Sequence, residues 1–129
     1  MADGDLKEEV IRATKEMLGA IDRRDFDAYC KMTVPHLSAF EPETRGHLVE
    51  GLDFHKYYSD HYAVFDGPTT IVNPCVHLFG KDVACIAYVR LRQRMVGTEA
   101  ETVRSEETRV LQKIDGHWKL IHLHRSKSS

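Results

Sequence analysis

The sequence lacks most of what would mark a specialised class of protein. Its 129 residues contain no CxxC pair, no apolar run long enough to cross a bilayer, no internal repeat and no low-complexity segment. Zinc ribbons, membrane-spanning helices and repeat architectures are therefore not indicated. The three cysteines, Cys30, Cys75 and Cys85, are odd in number and unpatterned. That argues against a disulfide framework and fits reduced, mostly buried thiols. Basic residues are not in excess, the formal net charge being -2, so the chain has no electrostatic footprint for nucleic acid. The opening Met1-Ala2-Asp3-Gly4-Asp5 is acidic and lacks the basic, apolar, small-residue order of a secretory signal. These absences point to a cytoplasmic chain with neither nucleic acid nor membrane as a partner.

What is present is the balance of one globular domain: 42% hydrophobic and 29% charged residues, in a length that supports a single core. We expect that domain over residues 5–126, with short flexible termini at 1–4 and 127–129. Leu6, Val10, Ile11, Met17, Leu18 and Ile21 recur at helical spacing, with Lys7, Glu8, Glu9, Arg12, Lys15 and Glu16 between them. Asp5 stands as N-cap with Glu8 three residues on, and the helix should end near Asp22-Arg23-Arg24-Asp25. Met17, like Met32, reads as core packing. A short second helix carries Phe26, Tyr29 and Cys30 and is limited by Pro35. His36 to Phe40 looks extended. A third helix begins near Gly51, with Leu52, Phe54, His55, Tyr58 and Tyr62 on one face and Asp66-Gly67-Pro68 as its exit.

From Thr69 onward β-branched and aromatic residues replace helix formers, and turn signals arrive regularly. Four strands are expected at about 69–79, 82–96, 102–114 and 117–125, with Asp115-Gly116 as the strongest hairpin signal. Helices first and long strands after is the order of an α+β fold, with a twisted antiparallel meander wrapped on the helices.

Two features of the strands bear on function. Divided by parity, the second strand has Val83, Cys85, Ala87, Val89 and Leu91 on one face, and Ala84, Ile86 and Tyr88 followed by the basic Arg90, Arg92 and Arg94 on the other. A sheet covered on one side should show one apolar face. This strand shows two, and a chain this short has few elements to cover the second, which makes another subunit the favoured cover. A central strand with no partner remains the plain alternative. The second feature is a set of arginines in line with apolar side chains: Arg90 after Ile86 and Tyr88, Arg109 with Leu111, and Arg125 with Ile121 and Leu123. If those faces look towards the helices, three guanidinium groups enter one cavity, where carboxylates, water or an anionic ligand must satisfy them. Glu41, Glu43 and His55 are candidate neighbours. A bidentate guanidinium site suits a carboxylate ligand, while a structural ion pair closed by Glu41 would account for the same pattern.

The strings Ala39-Phe40-Glu41-Pro42-Glu43, Leu48-Val49-Glu50-Gly51-Leu52-Asp53-Phe54-His55, Ala84-Cys85-Ile86-Ala87-Tyr88, Ser105-Glu106-Glu107-Thr108-Arg109-Val110 and Asp115-Gly116-His117-Trp118-Lys119-Leu120-Ile121-His122-Leu123-His124-Arg125-Ser126 occur in this order. Together they resemble the association, or hub, domain of calcium/calmodulin-dependent protein kinase II over nearly the whole chain. The resemblance implies a cystatin/nuclear transport factor 2-like cone, a curled antiparallel sheet around a long N-terminal helix. It implies a homo-oligomer of dimers stacked in two rings, commonly dodecamers or tetradecamers, that gathers kinase domains. It also implies a pocket for small carboxylates related to γ-hydroxybutyrate, with His55, Arg90, Arg109 and Arg125 as its basic residues and Tyr29, Glu41 and Tyr88 as neighbours.

The chain departs from the family pattern at Asp60 to Pro68, which is short and has no tryptophan, and at Met95 to Val103, which has no Gly-Gly hairpin. Ring size is therefore not inherited. No Gly-rich phosphate loop, His-Arg-Asp or Asp-Phe-Gly string is present, so the chain is not itself a kinase. The alternative function is that of a small-molecule binder or isomerase-like enzyme on the same cone. It would need Glu41 as a base with Tyr29 or Tyr88 as donor, yet the nearby arginines would make that carboxylate a poor base. His122 and His124 invite a metal reading but lack companion ligands. No metal or cofactor is expected. If the odd-numbered face of the second strand is the contact between copies, Val89→Glu will lower the mass seen by light scattering while circular dichroism shows an unchanged fold.

Overall fold

The computed structural model describes residues 2–61 and 69–127. The expected Tyr62 contact and the Asp66-Gly67-Pro68 helix exit lie outside them. Helix α1 (Asp3–Asp22) buries Leu6, Val10, Met17 and Leu18. At 20 residues it is about 30 Å long, enough to span a small domain. It begins two positions before the expected cap: Ala2 is the N-cap and no side chain caps it, so Asp5 lies inside the first turn beside Asp3. There its charge complements the helix dipole. Helix α2 (Phe26–Lys31) is capped by Asp25, whose side chain accepts from the Ala28 amide at 3.1 Å.

The sheet is larger than the four expected strands. Strand β1 (Thr33–Phe40) follows α2, a 3-10 turn spans Pro42–Thr44, and β2 (Val49–Glu50) precedes helix α3 (Asp53–His61). The meander β3 (Thr69–Phe79), β4 (Val83–Val96), β5 (Glu99–Ile114) and β6 (His117–Lys127) completes six strands in the order β2-β1-β6-β5-β4-β3. All neighbours are antiparallel except β1 and β6, which run parallel. That contact joins the start of the chain to its end. Pro35 lies within β1, at the irregularity between Thr33 and Ser38, where its missing N–H disturbs the ladder least.

Local geometry bends the sheet. Asp115 and Gly116 both have positive φ, +52° and +80°, as the favoured two-residue hairpin turn requires. A register shift separates Val72 from Cys75 on β3, with Asn73 in the left-handed region between them. A second lies on β6, where Leu120 faces Leu111 but His122 faces Val110. Such bulges increase local twist and curl the sheet around α1. The second also corrects the parity reading of the last strand. The core-facing residues are Trp118 and Leu120, then Leu123; Ile121 is displaced from that face and only partly buried.

The core lies between α1 and the concave side of the sheet, with Leu37, Ala39, Ile86, Leu111, Leu120 and Leu123 buried against it. The thiols depart from expectation: Cys75 is exposed, and Cys30 and Cys85 are only partly covered. Among the described residues no helix is long and apolar enough to cross a membrane. Leu111 is wholly buried, so Leu111→Ala should cost about 2–5 kcal/mol, read as a lower midpoint in urea unfolding.

Candidate functional site

The site begins with cross-strand pairing. Tyr88 on β4 faces Glu107 on β5, and Glu107 in turn faces Arg125 on β6. Side chains at directly paired positions project on the same side, and here that side is the interior. Arg109 and Arg90 lie diagonally across the same ladder, since Ile86 pairs with Arg109 and Arg90 with Ser105. Arg90, Glu107 and Arg109 are 1–2% exposed, a burial these residue types tolerate only when paired.

Glu107 does the pairing. Its Oε1 accepts from the Tyr88 hydroxyl at 2.6 Å and from Arg109 Nη2 at 3.4 Å. Its Oε2 accepts from the Ser105 hydroxyl at 3.0 Å and from Arg90 Nη1 at 3.4 Å. The Tyr88 oxygen closes the circuit by accepting from Arg109 Nε at 2.9 Å. Burial alone would raise the Glu107 carboxyl, but the Arg109 and Arg90 charges outweigh it and hold it at about 2. Arg109 is shifted the other way: burial opposes its charge, and Tyr88 and Glu107 more than restore it. Burial pushes the Tyr29 hydroxyl up to about 12, and it pushes Tyr88 up as well.

Two further ion pairs frame the cavity. At the end of α1, Asp22 accepts from Arg90 Nη2 at 2.7 Å and from the Thr69 hydroxyl. Opposite, Arg125 Nη2 donates to Glu43 at 2.5 and 2.7 Å, and Arg125 Nε stands 3.5 Å from Glu41. The 3-10 turn places both glutamates, because the Thr44 hydroxyl donates to the Glu41 carbonyl at 2.9 Å. Helix α3 brings His55 Nε2 to 3.3 Å from Glu41, ion-pair separation without hydrogen-bond alignment. Burial raises the Glu41 carboxyl, yet His55 and Arg125 leave it below its ordinary value.

These groups surround a cavity of about 220 Å³. His55, Arg90, Arg109 and Arg125 all line it, as do Tyr29 and Glu41. Tyr88 does not reach the wall and acts from behind, through Arg109 and Glu107. Seven Arg or Lys residues line the space against four Asp or Glu, so it stays positive even when the buried Glu107 is counted. Among the described residues, the buried polar atoms without a hydrogen bond are His55 Nδ1 and Nε2, Arg90 Nε and Arg109 Nη1.

Sequence reasoning missed Glu107 as part of the site, although parity could have found it: it lies two residues before Arg109 on one strand. It also missed Asp22, read only as the end of a helix, and it placed Arg92 on the inward face without counting it in the pocket; Arg92 lines the cavity, and burial beside Arg90 lowers its pKa to about 10. Glu41 and Glu107 are both held ionised by neighbouring cations, which makes each a poor base. His122 and His124 lie elsewhere, packed on Phe40, with His122 Nδ1 2.6 Å from the Ser38 hydroxyl. Among the described residues no group of three or more potential ligands stands ready for a metal.

A curled sheet closed over one long helix, with a polar pocket between, defines a nuclear transport factor 2-like cone. A nuclear transport factor 2-like superfamily protein from Salmonella enterica serovar Typhimurium shares it with a TM-score of 0.76 at 18% identity, covering 99% of this chain and 94% of that one. The particular family follows from a closer match: residues 6–129 fit the model of the calcium/calmodulin dependent protein kinase II association domain, and the chain belongs to that family. It is 49% identical over 95% of its length to the type II subunit delta of Oryctolagus cuniculus, and spans 24% of that subunit. The association domain of the C. elegans kinase superposes with a TM-score of 0.91 at 40% identity, covering 96% of this chain and 97% of that one. A hub homology domain from Chlamydomonas reinhardtii gives 0.87 at 41%, with 95% and 98% covered. The chain is thus a self-associating, non-catalytic domain of the kind that forms homo-oligomers.

Glu107 has a folded value of about 2 against an ordinary 4.5. A depressed folded value means that its charge stabilises the fold above the unfolded pKa. The contribution is then lost as pH falls from about 4.5 towards about 2. Glu107→Gln should remove that acid limb and cost about 3–5 kcal/mol at neutral pH, because Arg90 and Arg109 lose their buried partner. Denaturant titrations at neutral pH and near pH 3 measure both effects.

Proposed function

We propose that this chain is the ring-forming hub of a cytoplasmic kinase assembly, and that copies pair through the outer face of β4 before the pairs close into two stacked rings. The observation that carries this reading is the division of β4 into two unlike faces. Ala84, Ile86, Tyr88 and Arg90 are buried under α1, whereas Val83, Cys85, Ala87, Val89 and Leu91 on the other side are only partly covered. Helix α1 is the described helix that packs appreciably on β4, and it covers the opposite face. Phe79, at the adjoining end of β3, is 62% exposed beside Val83 and extends the apolar strip. An apolar sheet face of this kind is stabilised by burial against a second copy. Ring closure into a dodecamer or tetradecamer predicts a native mass of about twelve or fourteen chains. Native mass spectrometry tests this, and a stable monomer or simple dimer at micromolar concentration would sink it.

The cavity supports a second part of the proposal, that the hub binds a small carboxylate. Arg109 Nη1 and Arg90 Nε are buried donors without partners at a net positive space, and an unsatisfied donor of this kind gains most from an anionic acceptor. His55 and Arg125 complete the proposed site from the α3 and β6 sides. Calorimetric titration with γ-hydroxybutyrate should give binding to the wild-type chain and a loss of at least about tenfold in Arg109→Ala, about 1.4 kcal/mol. Equal affinity in both proteins would remove Arg109 from the site.

A further inference from the structure

The cationic lining of the cavity continues past the buried network. Strand register sets the inward side chains of β4, β5 and β6 in rows: Tyr88 with Glu107 and Arg125, then Arg90 with Ser105 and Lys127, then Arg92 with Val103, then Arg94 with Glu101. Arg92, Arg94, Val103 and Lys127 line the same cavity as the inner arginines. The inner cations are balanced, since Glu107 and Asp22 hold Arg90, Glu107 holds Arg109, and Glu41 and Glu43 hold Arg125. The outer rows bring more cations than carboxylates: Arg92, Arg94 and Lys127 against Glu101, which meets Arg94 at 3.2 Å. At the turn between α1 and α2, Arg24 and Asp25 add one charge of each sign to the lining. Burial, then the charges of Arg90 and Arg125, push the Arg92 guanidinium down to about 10. A nearby anion favours the charged form of a cation so placed.

Resting on the carboxylate reading above, we infer that the cavity is built for a dianion, an α,ω-dicarboxylate of about six carbons. One carboxylate meets Arg109 Nη1 and Arg90 Nε, and the other lies between Arg92 and Lys127. The buried donors without partners fix the first end. The Arg109 guanidinium reaches back to Glu107, and Arg92 is paired with Val103, further along β5. From Glu107 to Val103 the strand covers about 13 Å at about 3.4 Å per residue. Charge-assisted contacts of about 2.8 Å at both ends leave about 7 Å between the carboxylates, the reach of a six-carbon diacid. Ile21, Phe26 and Val103 supply apolar wall for the methylenes between them. The volume of about 220 Å³ suits a short chain of this kind, being smaller than a pocket for a drug-sized ligand.

Calorimetric titration of the full chain at fixed ionic strength compares adipate with monomethyl adipate, which has the same length and one charge. Adipate should bind at least about tenfold more tightly, the worth of one added charge-assisted contact. Arg92→Gln and Lys127→Gln should each remove most of that preference while changing the monoester affinity by less than about twofold. Arg109→Ala should weaken both ligands. Lys15→Gln, the same change of charge at an exposed position on α1, should leave both affinities as they are. Lys127 is exposed at the end of β6, so its substitution keeps the test decisive where Arg92→Gln disturbs the fold. Equal affinity for the two ligands in the wild type, or a preference for adipate that survives both substitutions, would overturn the dianion site and leave the carboxylate pocket standing. Binding of neither ligand would overturn both.

Discussion

The interior depends on one carboxylate. Glu107 is placed by strand pairing among Tyr88, Ser105, Arg90 and Arg109, and without it Arg109 would lose its ion-pair partner in the core while Arg90 would keep only Asp22. Burying a charge is costly, and the cost is offset only when partners and hydrogen bonds are in place together. The remaining ion pairs extend outward from this centre: Asp22 fixes Arg90 to the end of α1, and Glu41 and Glu43 fix Arg125 to the turn after β1. The long helix, the first turn of the sheet and its last strand are thereby tied to the same cluster. The cavity these pairs frame has more cationic than anionic side chains in its lining.

The two faces of β4 divide the work of the domain. One face is consumed by folding, since α1 covers it and the arginines beyond it are neutralised internally. The other carries apolar side chains that are only partly covered. The proposed contact between copies would complete the burial of that second face. The membership of the chain in the association-domain family accords with that division. The same electrostatics bear on the enzyme alternative raised by the fold, which needs Glu41 as its base: His55 and Arg125 hold that carboxyl below its ordinary value against the effect of burial, which makes it a poor proton acceptor.

Much of this was legible in the order of the residues. The period of 3.6 in residues 6–21 and the Asp115-Gly116 turn placed α1 and the last hairpin, and parity on β4 separated inward arginines from the outward apolar strip. Parity failed where the backbone departs from a regular strand. The bulge on β6 displaces Ile121 from the interior face and lets Leu120 and Leu123 share it, a two-for-one exchange that counting by twos cannot anticipate. Strand β1 was read only as an extended segment because its pairing with β6 is non-local and parallel, and Pro35 interrupts its pattern. Glu107 shares the parity of Arg109 and was within reach of the same argument. Asp22 was not, since its partner is 68 residues away on another element.

By itself the sequence determined the class of the fold, the two characters of the central strand and the presence of arginines on an inward face. These are local properties, set by helical and strand periodicity and by turn chemistry within a few residues. Tertiary structure alone decided that those arginines meet around one cavity, which carboxylate balances each of them, and which donors remain unpartnered. Ion pairs and cavities are made between residues distant in the chain, and their energies depend on separations of a few ångströms that periodicity does not encode.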